Sequence, residues 1–107
     1  MPIDTPRFGL KETVINQMNG VFSHYPEIKK VIIYGSRAKG NFRNGSDIDL
    51  AIISDMLSQT QFNRIETQLD DLLLPYSIGL SLFNQIDNED LIRHITRVGQ
   101  VFYQDTR

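Results

Sequence analysis

Cysteine is absent from the sequence, which excludes a disulfide framework and a thiolate zinc site and fits a reducing compartment. No stretch is apolar for long enough to cross a bilayer, and the opening MPIDTPRFGL has no apolar core of a secretion signal. Charge of one sign is missing too. Lys and Arg number 11, Asp and Glu 13, for a net charge of -2, and neither sign forms a long run. Bulk attraction to nucleic acid or anionic membrane is therefore not indicated, and any anion binding must be local. Repeats, linkers and low-complexity tracts are also lacking. A chain of 107 residues suits one small domain with one core. The expectation is a single cytoplasmic domain over 1–107, with no membrane partner and with ends frayed at 1–8 and 104–107.

Hydrophobic periodicity supplies the elements. Leu10, Val14, Met18, Val21 and Phe22 recur at helical steps and describe an apolar face that should end near Tyr25-Pro26. Val31, Ile32, Ile33 and Tyr34 form a β-branched and aromatic run stopped by Gly35, as in a central strand covered on both faces. The turn residues RNGSD precede a second strand, DIDLAII. Ser58 and Gln61 form a capping-box pair for a helix with Phe62, Ile65, Leu69, Leu72 and Leu73 on one face, stopped by Pro75. YSIGLSLF alternates, with Ile78, Leu80 and Leu82 on one side and Ser77, Gly79, Ser81 and Phe83 on the other. Asp87 or Asn88 caps a last helix with Leu91, Ile92, Ile95 and Val98, Gly99 ends it, and Val101 to Tyr103 add a short extended tail. The fold class is α/β (α+β), a mixed sheet with helices packed on it.

The chemistry concentrates in YGSRAKGNFRNGSDIDLAI, Tyr34 to Ile52. Alternation along a strand puts Asp47 and Asp49 on one face, roughly 7 Å apart at their roots, and hard divalent cations such as magnesium favour such paired carboxylates. Gly35 and Ser36 lie where the first strand ends, and SRAK has the composition of a short helix whose amide end attracts an anion. Arg37 and Lys39 add positive charge, though a short helix points them in different directions. The stretch is neither a Walker A loop nor a dinucleotide fingerprint, since Gly40 is followed by Asn41 and Phe42. Parallel neighbours would separate Gly35 from Asp47 by about 15 to 20 Å, whereas antiparallel pairing sets them side by side. The short connection is also barely enough for a parallel crossover. The first two strands are therefore expected to be antiparallel.

Gly35-Ser36 followed by Asp47-x-Asp49 resembles the nucleotidyltransferase motif of the DNA polymerase beta superfamily, and in particular the minimal nucleotidyltransferases (MNT). The likeness runs from Leu10 to Tyr103. It implies transfer of a nucleoside monophosphate from a magnesium-bound triphosphate, ATP or another NTP, to a hydroxyl with release of pyrophosphate. Gly35 and Ser36 would hold phosphates, with Arg37 and Lys39 beside them. Asp47 and Asp49 would hold the metals of a two-Mg2+ site and serve as the catalytic pair. Lys39 stands where family members often have arginine, keeping the charge but not the fork.

The pattern breaks at the third carboxylate of the superfamily, whose place on the YSIGLSLF strand falls at Gly79. Glycine cannot bind metal, so nucleotide binding should be spared more than chemistry. A bulge or a close backbone approach is a second reading of that glycine, and an introduced inactivating change a third. Asp70, Asp71 and Asp87 are further acids that spacing does not select. His24 and His94 read as surface or cap residues, and Tyr34 as core. Phe42 suits base stacking or burial, while Asn41, Arg43 and Asn44 suit a turn, with Arg43 also able to meet phosphate or a partner. The resemblance further implies a helical HEPN-type partner, a toxin that this chain would adenylylate or mask as antitoxin, within a homo- or hetero-oligomer. Nucleotide binding without catalysis and a purely protein-binding antitoxin remain the alternatives. A template-directed DNA polymerase is not expected, since no basic groove is evident.

Overall fold

A computed structural model describes residues 7–105. The elements follow in the order α1 (Glu12–Phe22), β1 (Lys30–Tyr34), α2 (Ser36–Lys39), β2 (Ile48–Ile53), α3 (Gln59–Asp70), β3 (Ile78–Leu82), a 3-10 turn (Phe83–Gln85), α4 (Glu89–Val98) and β4 (Gln100–Gln104). The sheet is mixed, in the order β3-β2-β1-β4. β1 and β2 pair antiparallel, as the site argument required, and Tyr34 lies opposite Asp49. β3 runs parallel to β2, with Gly79 opposite Asp49. The crossover between them is long enough to contain α3, which parallel pairing needs.

One sheet face, with Val31, Ile33, Ile48, Leu50, Ile52 and Leu82, joins a core cluster with Ile15, Met18 and Phe22 of α1 and with Ile65 and Leu69 of α3. The other face carries Ile32, Tyr34, Asp49 and Gly79, by the alternation of side chains along each strand. Helix α4 crosses β1 on that second face. Its end comes so close that a Cβ on Gly99 would lie 2.5 Å from Ile32 Cγ2. β1 is therefore central in the sheet, but only Val31 and Ile33 are fully buried, with Ile32 and Tyr34 half-buried under α4.

Local chemistry sets the boundaries. Ser58 and Gln61 make the expected reciprocal cap: the Gln61 amide donates to Ser58 Oγ at 3.1 Å and the Ser58 amide to Gln61 Oε1 at 2.9 Å. Asn88 caps α4 by accepting from the Leu91 amide. α1 ends earlier than its apolar spacing suggests, at Phe22, and a turn leads to buried Tyr25. Leu73 departs from the expected apolar face of α3. It lies past the helix at φ 55 and is 88% exposed.

The extended tail is a full strand. β4 pairs with the free edge of β1, and its Phe102 packs against Phe8 and edge-on to Phe22. The described positions of the expected frayed ends are held in the fold: Phe8 by this contact, Gln104 by pairing with Lys30, and Asp105 by donating its amide to the Lys29 carbonyl at 2.9 Å. Arg7 exchanges backbone hydrogen bonds with Leu10. Residues 1–6 and 106–107 lie outside the described residues. No helix among the described residues is long and apolar enough to cross a membrane.

Candidate active site

The strand register brings the two halves of the motif together. β1 ends opposite Asp49, so Gly35 follows directly beside that carboxylate. Gly35 adopts φ 76 and ψ -156, a conformation essentially restricted to glycine, and it turns the chain into α2. A Cβ built there would sit 2.6 Å from Asp49 Oδ2. On the opposite side, a Cβ on Gly79 would sit 3.2 Å from Asp49 Oδ1. The Asp49 carboxylate is thus held between two glycines, each lacking the atom that would crowd it.

Asp47 lies just ahead of β2 and is exposed, whereas Asp49 is half-buried. Burial raises the Asp49 pKa above the ordinary carboxylate value, the negative charge of Asp47 raises it further, and His94 lowers it. Tyr34, the neighbour of Asp49 across the ladder, is likewise pushed up by burial and by the Asp49 charge, with the Ser81 side chain acting in the opposite direction. Two carboxylates that repel one another, one of them half-buried, are a pair that a bound cation could relieve.

A family model described as "Polymerase beta, Nucleotidyltransferase" matches residues 16–107. The chain belongs to this nucleotidyltransferase family. A relative from Methanocaldococcus jannaschii named "Putative protein adenylyltransferase MJ0604" is 32% identical over 94 residues, spanning 80% of this chain and 90% of that protein. The fold is also that of a chain in a toxin-antitoxin crystal structure with AMP-PNP. There the TM-score is 0.67 at 18% identity, covering 86% of this chain and 74% of the other. A tri-AMPylated Shewanella oneidensis HEPN toxin in complex with MNT antitoxin gives a TM-score of 0.63 at 16% identity, covering 88% and 72%. At these identities the two structures speak to fold alone.

Within this nucleotidyltransferase fold the expected site residues divide. Gly35, Asp49 and Gly79 meet directly, and Asp47 is close enough to raise the pKa of Asp49. Ser36 opens α2 immediately after the turn, and Lys39 ends it, exposed. Arg37 is corrected by its surroundings: only 3% exposed, it does not serve as a free phosphate ligand. Its Nε donates to the Ser46 carbonyl at 3.0 Å and its Nη1 to the Phe8 carbonyl at 2.9 Å. The guanidinium also lies over the rings of Phe42 and Tyr76. Arg37 is a strut that fixes the loop just ahead of Asp47, and Phe42 is spent on that packing rather than on a base.

The bulge reading of Gly79 is not what the strand adopts, because the β2–β3 register runs unbroken through it. The close approach is to the Asp49 carboxylate. Among the described residues no group of three Asp, Glu, His or Cys side chains is placed to hold a metal, so Asp70, Asp71 and Asp87 do not complete the acid pair. Asp47 and Asp49 can still hold a divalent ion whose other positions go to water and phosphate oxygens, the usual manner for magnesium.

His94 is the residue that sequence reading missed. Its Nε2 accepts a hydrogen bond from the Gly35 amide at 3.2 Å, and its ring meets Tyr34 edge-on, with centroids 6.1 Å apart. Its neighbour in sequence, Ile95, is buried. That was the available signal: α4 carries this imidazole beside its packed stripe.

The raised pKa of Asp49 has a testable consequence in the ion-free protein. A carboxyl that holds its proton more tightly when folded contributes stability at low pH, and that contribution is lost as pH rises through the folded pKa. Asp49→Asn should therefore melt above the parent at neutral pH. The gap should close as pH falls into the ordinary carboxylate range. Thermal melts across that range in a chelator check both the sign and the trend, and a parent that is the more stable at neutral pH would contradict the burial argument.

Proposed function

We propose that this chain binds a magnesium-complexed nucleoside triphosphate and transfers its nucleoside monophosphate, AMP by preference, to a hydroxyl of a partner protein. The observation that carries this reading is the Asp49 carboxylate set against the Gly35 turn, with Asp47 beside it. In this reading Gly35 and Ser36 receive the outer phosphates at the strand-to-helix turn, with Lys39 as the mobile positive charge. Asp47 and Asp49 fix the ion that accompanies the triphosphate. That ion would neutralise charge on the transferring phosphate and on the pyrophosphate that leaves.

The hydroxyl oxygen of the acceptor forms the new bond to the α-phosphorus as the bond to the pyrophosphate oxygen breaks. The hydroxyl proton passes to solvent water, because Gly79 offers no carboxylate beside Asp49 to take it. Activity is therefore expected to be impaired. A HEPN-type helical toxin is the partner we favour, since the protein adenylyltransferase relative and the toxin-antitoxin structures of the same fold point one way. Such a pair would work in the cytoplasm, where Mg-ATP is available, and the complex would be a hetero-oligomer. Gly79 specifically favours a second reading, in which the chain binds Mg-nucleotide and masks its partner without modifying it.

One experiment separates these readings. The chain is co-purified with whatever protein it holds in its native cell, incubated with Mg-ATP, and the complex weighed by intact-mass spectrometry. A nucleotide-sized gain on the partner, absent when Asp49→Asn replaces the parent, is the expected result. A stable complex that retains ATP and gains no mass supports the masking role instead. Failure of the chain to bind Mg-ATP in calorimetry would remove both.

A further inference from the structure

Beyond Tyr34 the sheet offers Gly35 no partner: the β2 ladder stops at the pair Tyr34 and Asp49, and the β4 ladder at Ile33 and Gln100. The Gly35 amide is half-buried, at the point where the chain leaves the strand for α2. An amide in that position needs an acceptor. Helix α4 supplies one, 59 residues further along the chain, in His94 Nε2 at 3.2 Å. An accepting nitrogen carries no proton, so the neutral ring holds its hydrogen on Nδ1.

The same imidazole has a second neighbour in the site. It stands edge-on to Tyr34 at an interplanar angle of 82°. The turn at Gly35 is a conformation that needs outside support, and its amide direction fixes where Ser36 begins α2.

We propose that His94 is a positioning residue for nucleotide binding. By accepting the Gly35 amide it sets the strand-to-helix turn, and with it the angle between Ser36 and the Asp49 carboxylate. This rests on the nucleotide-binding reading of the turn. It makes α4 a working wall of the site rather than a cover for the sheet. Tyr34 serves as the rigid edge that keeps the imidazole in its one useful rotamer.

The test compares His94→Phe, which keeps a ring and loses the acceptor, with His94→Gln, which keeps an acceptor at similar reach. Two readouts are taken on the full chain: affinity for Mg-bound AMP-PNP by calorimetry, and the chemical shift and hydrogen exchange of the Gly35 amide by NMR. His94→Phe should bind about tenfold more weakly, the equivalent of one net hydrogen bond. Its Gly35 amide should move upfield and exchange faster. His94→Gln should stay within about threefold of the parent on both counts.

If His94→Phe does not fold, His94→Asn, polar but too short to reach, takes its place against His94→Gln. Equal binding and an unmoved Gly35 amide in the acceptor-free variant overturn the role of His94 and leave the proposed function standing. A parent that binds no nucleotide overturns the proposed function, and with it the part of this inference that concerns nucleotide. An acceptor-free variant weaker than the parent only to the extent that His94→Gln is also weaker would likewise overturn it, since packing alone would then explain the loss.

Discussion

Gly79→Asp should strengthen magnesium-dependent nucleotide transfer to the partner. The position is exposed on β3, and the one atom that a Cβ meets within 4 Å is Asp49 Oδ1, at 3.2 Å. An aspartate therefore fits after a shift of a few tenths of an ångström, with its carboxylate beside the existing pair. Without a divalent ion, three neighbouring acids repel one another. The proton affinity of Asp49, already raised, should climb further. The variant should then melt lower than the parent in chelator at mildly alkaline pH, and the difference should reverse when magnesium is added. Transfer to the partner should rise by about two orders of magnitude or more, the usual scale for restoring proton removal or metal activation at an acceptor hydroxyl. Gly79→Asn, equal in shape and uncharged, should show neither effect. Unchanged magnesium dependence and unchanged transfer in Gly79→Asp would mean that the vacancy on β3 is not what limits the chemistry.

Gly35→Ala should do the opposite. It places a methyl 2.6 Å from Asp49 Oδ2 and forces an L side chain into φ 76 and ψ -156. Backbone strain of this kind costs about 1–3 kcal/mol, which in a domain of this size lowers the melting temperature by roughly 5–15 °C. The larger effect is on the site, because the carboxylate has to leave its place before the methyl can enter. Binding of Mg-nucleotide should fall below detection at a temperature where the variant is still folded. Gly40→Ala is the control. That residue also has a positive φ, 87, yet a Cβ there meets nothing within 4 Å. It should lose some stability and keep its affinity. Equal affinity in Gly35→Ala and the parent would show that the contact with Asp49 does not shape the nucleotide site.

What sequence reading could reach here was set by the range of each interaction. The capping pair Ser58 and Gln61 and the cap at Asn88, one of two residues the sequence offered, are local rules, and both reappear in the fold, whereas β2 begins at Ile48 and leaves Asp47 just outside the strand. The antiparallel pairing of β1 and β2 was legible as well, because a connection that short leaves little choice. Register followed, and so Gly79 lies across from Asp49. Arg37 shows the limit: composition assigns it a charge, but a single helical turn points it into a pocket of carbonyls and rings instead of toward Ser36. The bond of His94 to Gly35 and the pairing of the extended tail with β1 were out of reach for another reason. Both depend on how α4 settles on Ile32, a contact set by Gly99 and by packing far along the chain.

The pairing of β1 with β4 has a consequence for synthesis. As the polypeptide emerges from the ribosome, β1 finds β2 early, yet its other edge stays bare until Gln100–Gln104 has been made. The imidazole that braces Gly35 arrives in the same late segment. A nascent fragment interrupted before α4 would expose an unpaired hydrophobic border of β1 and would lack the imidazole that supports the Gly35 turn.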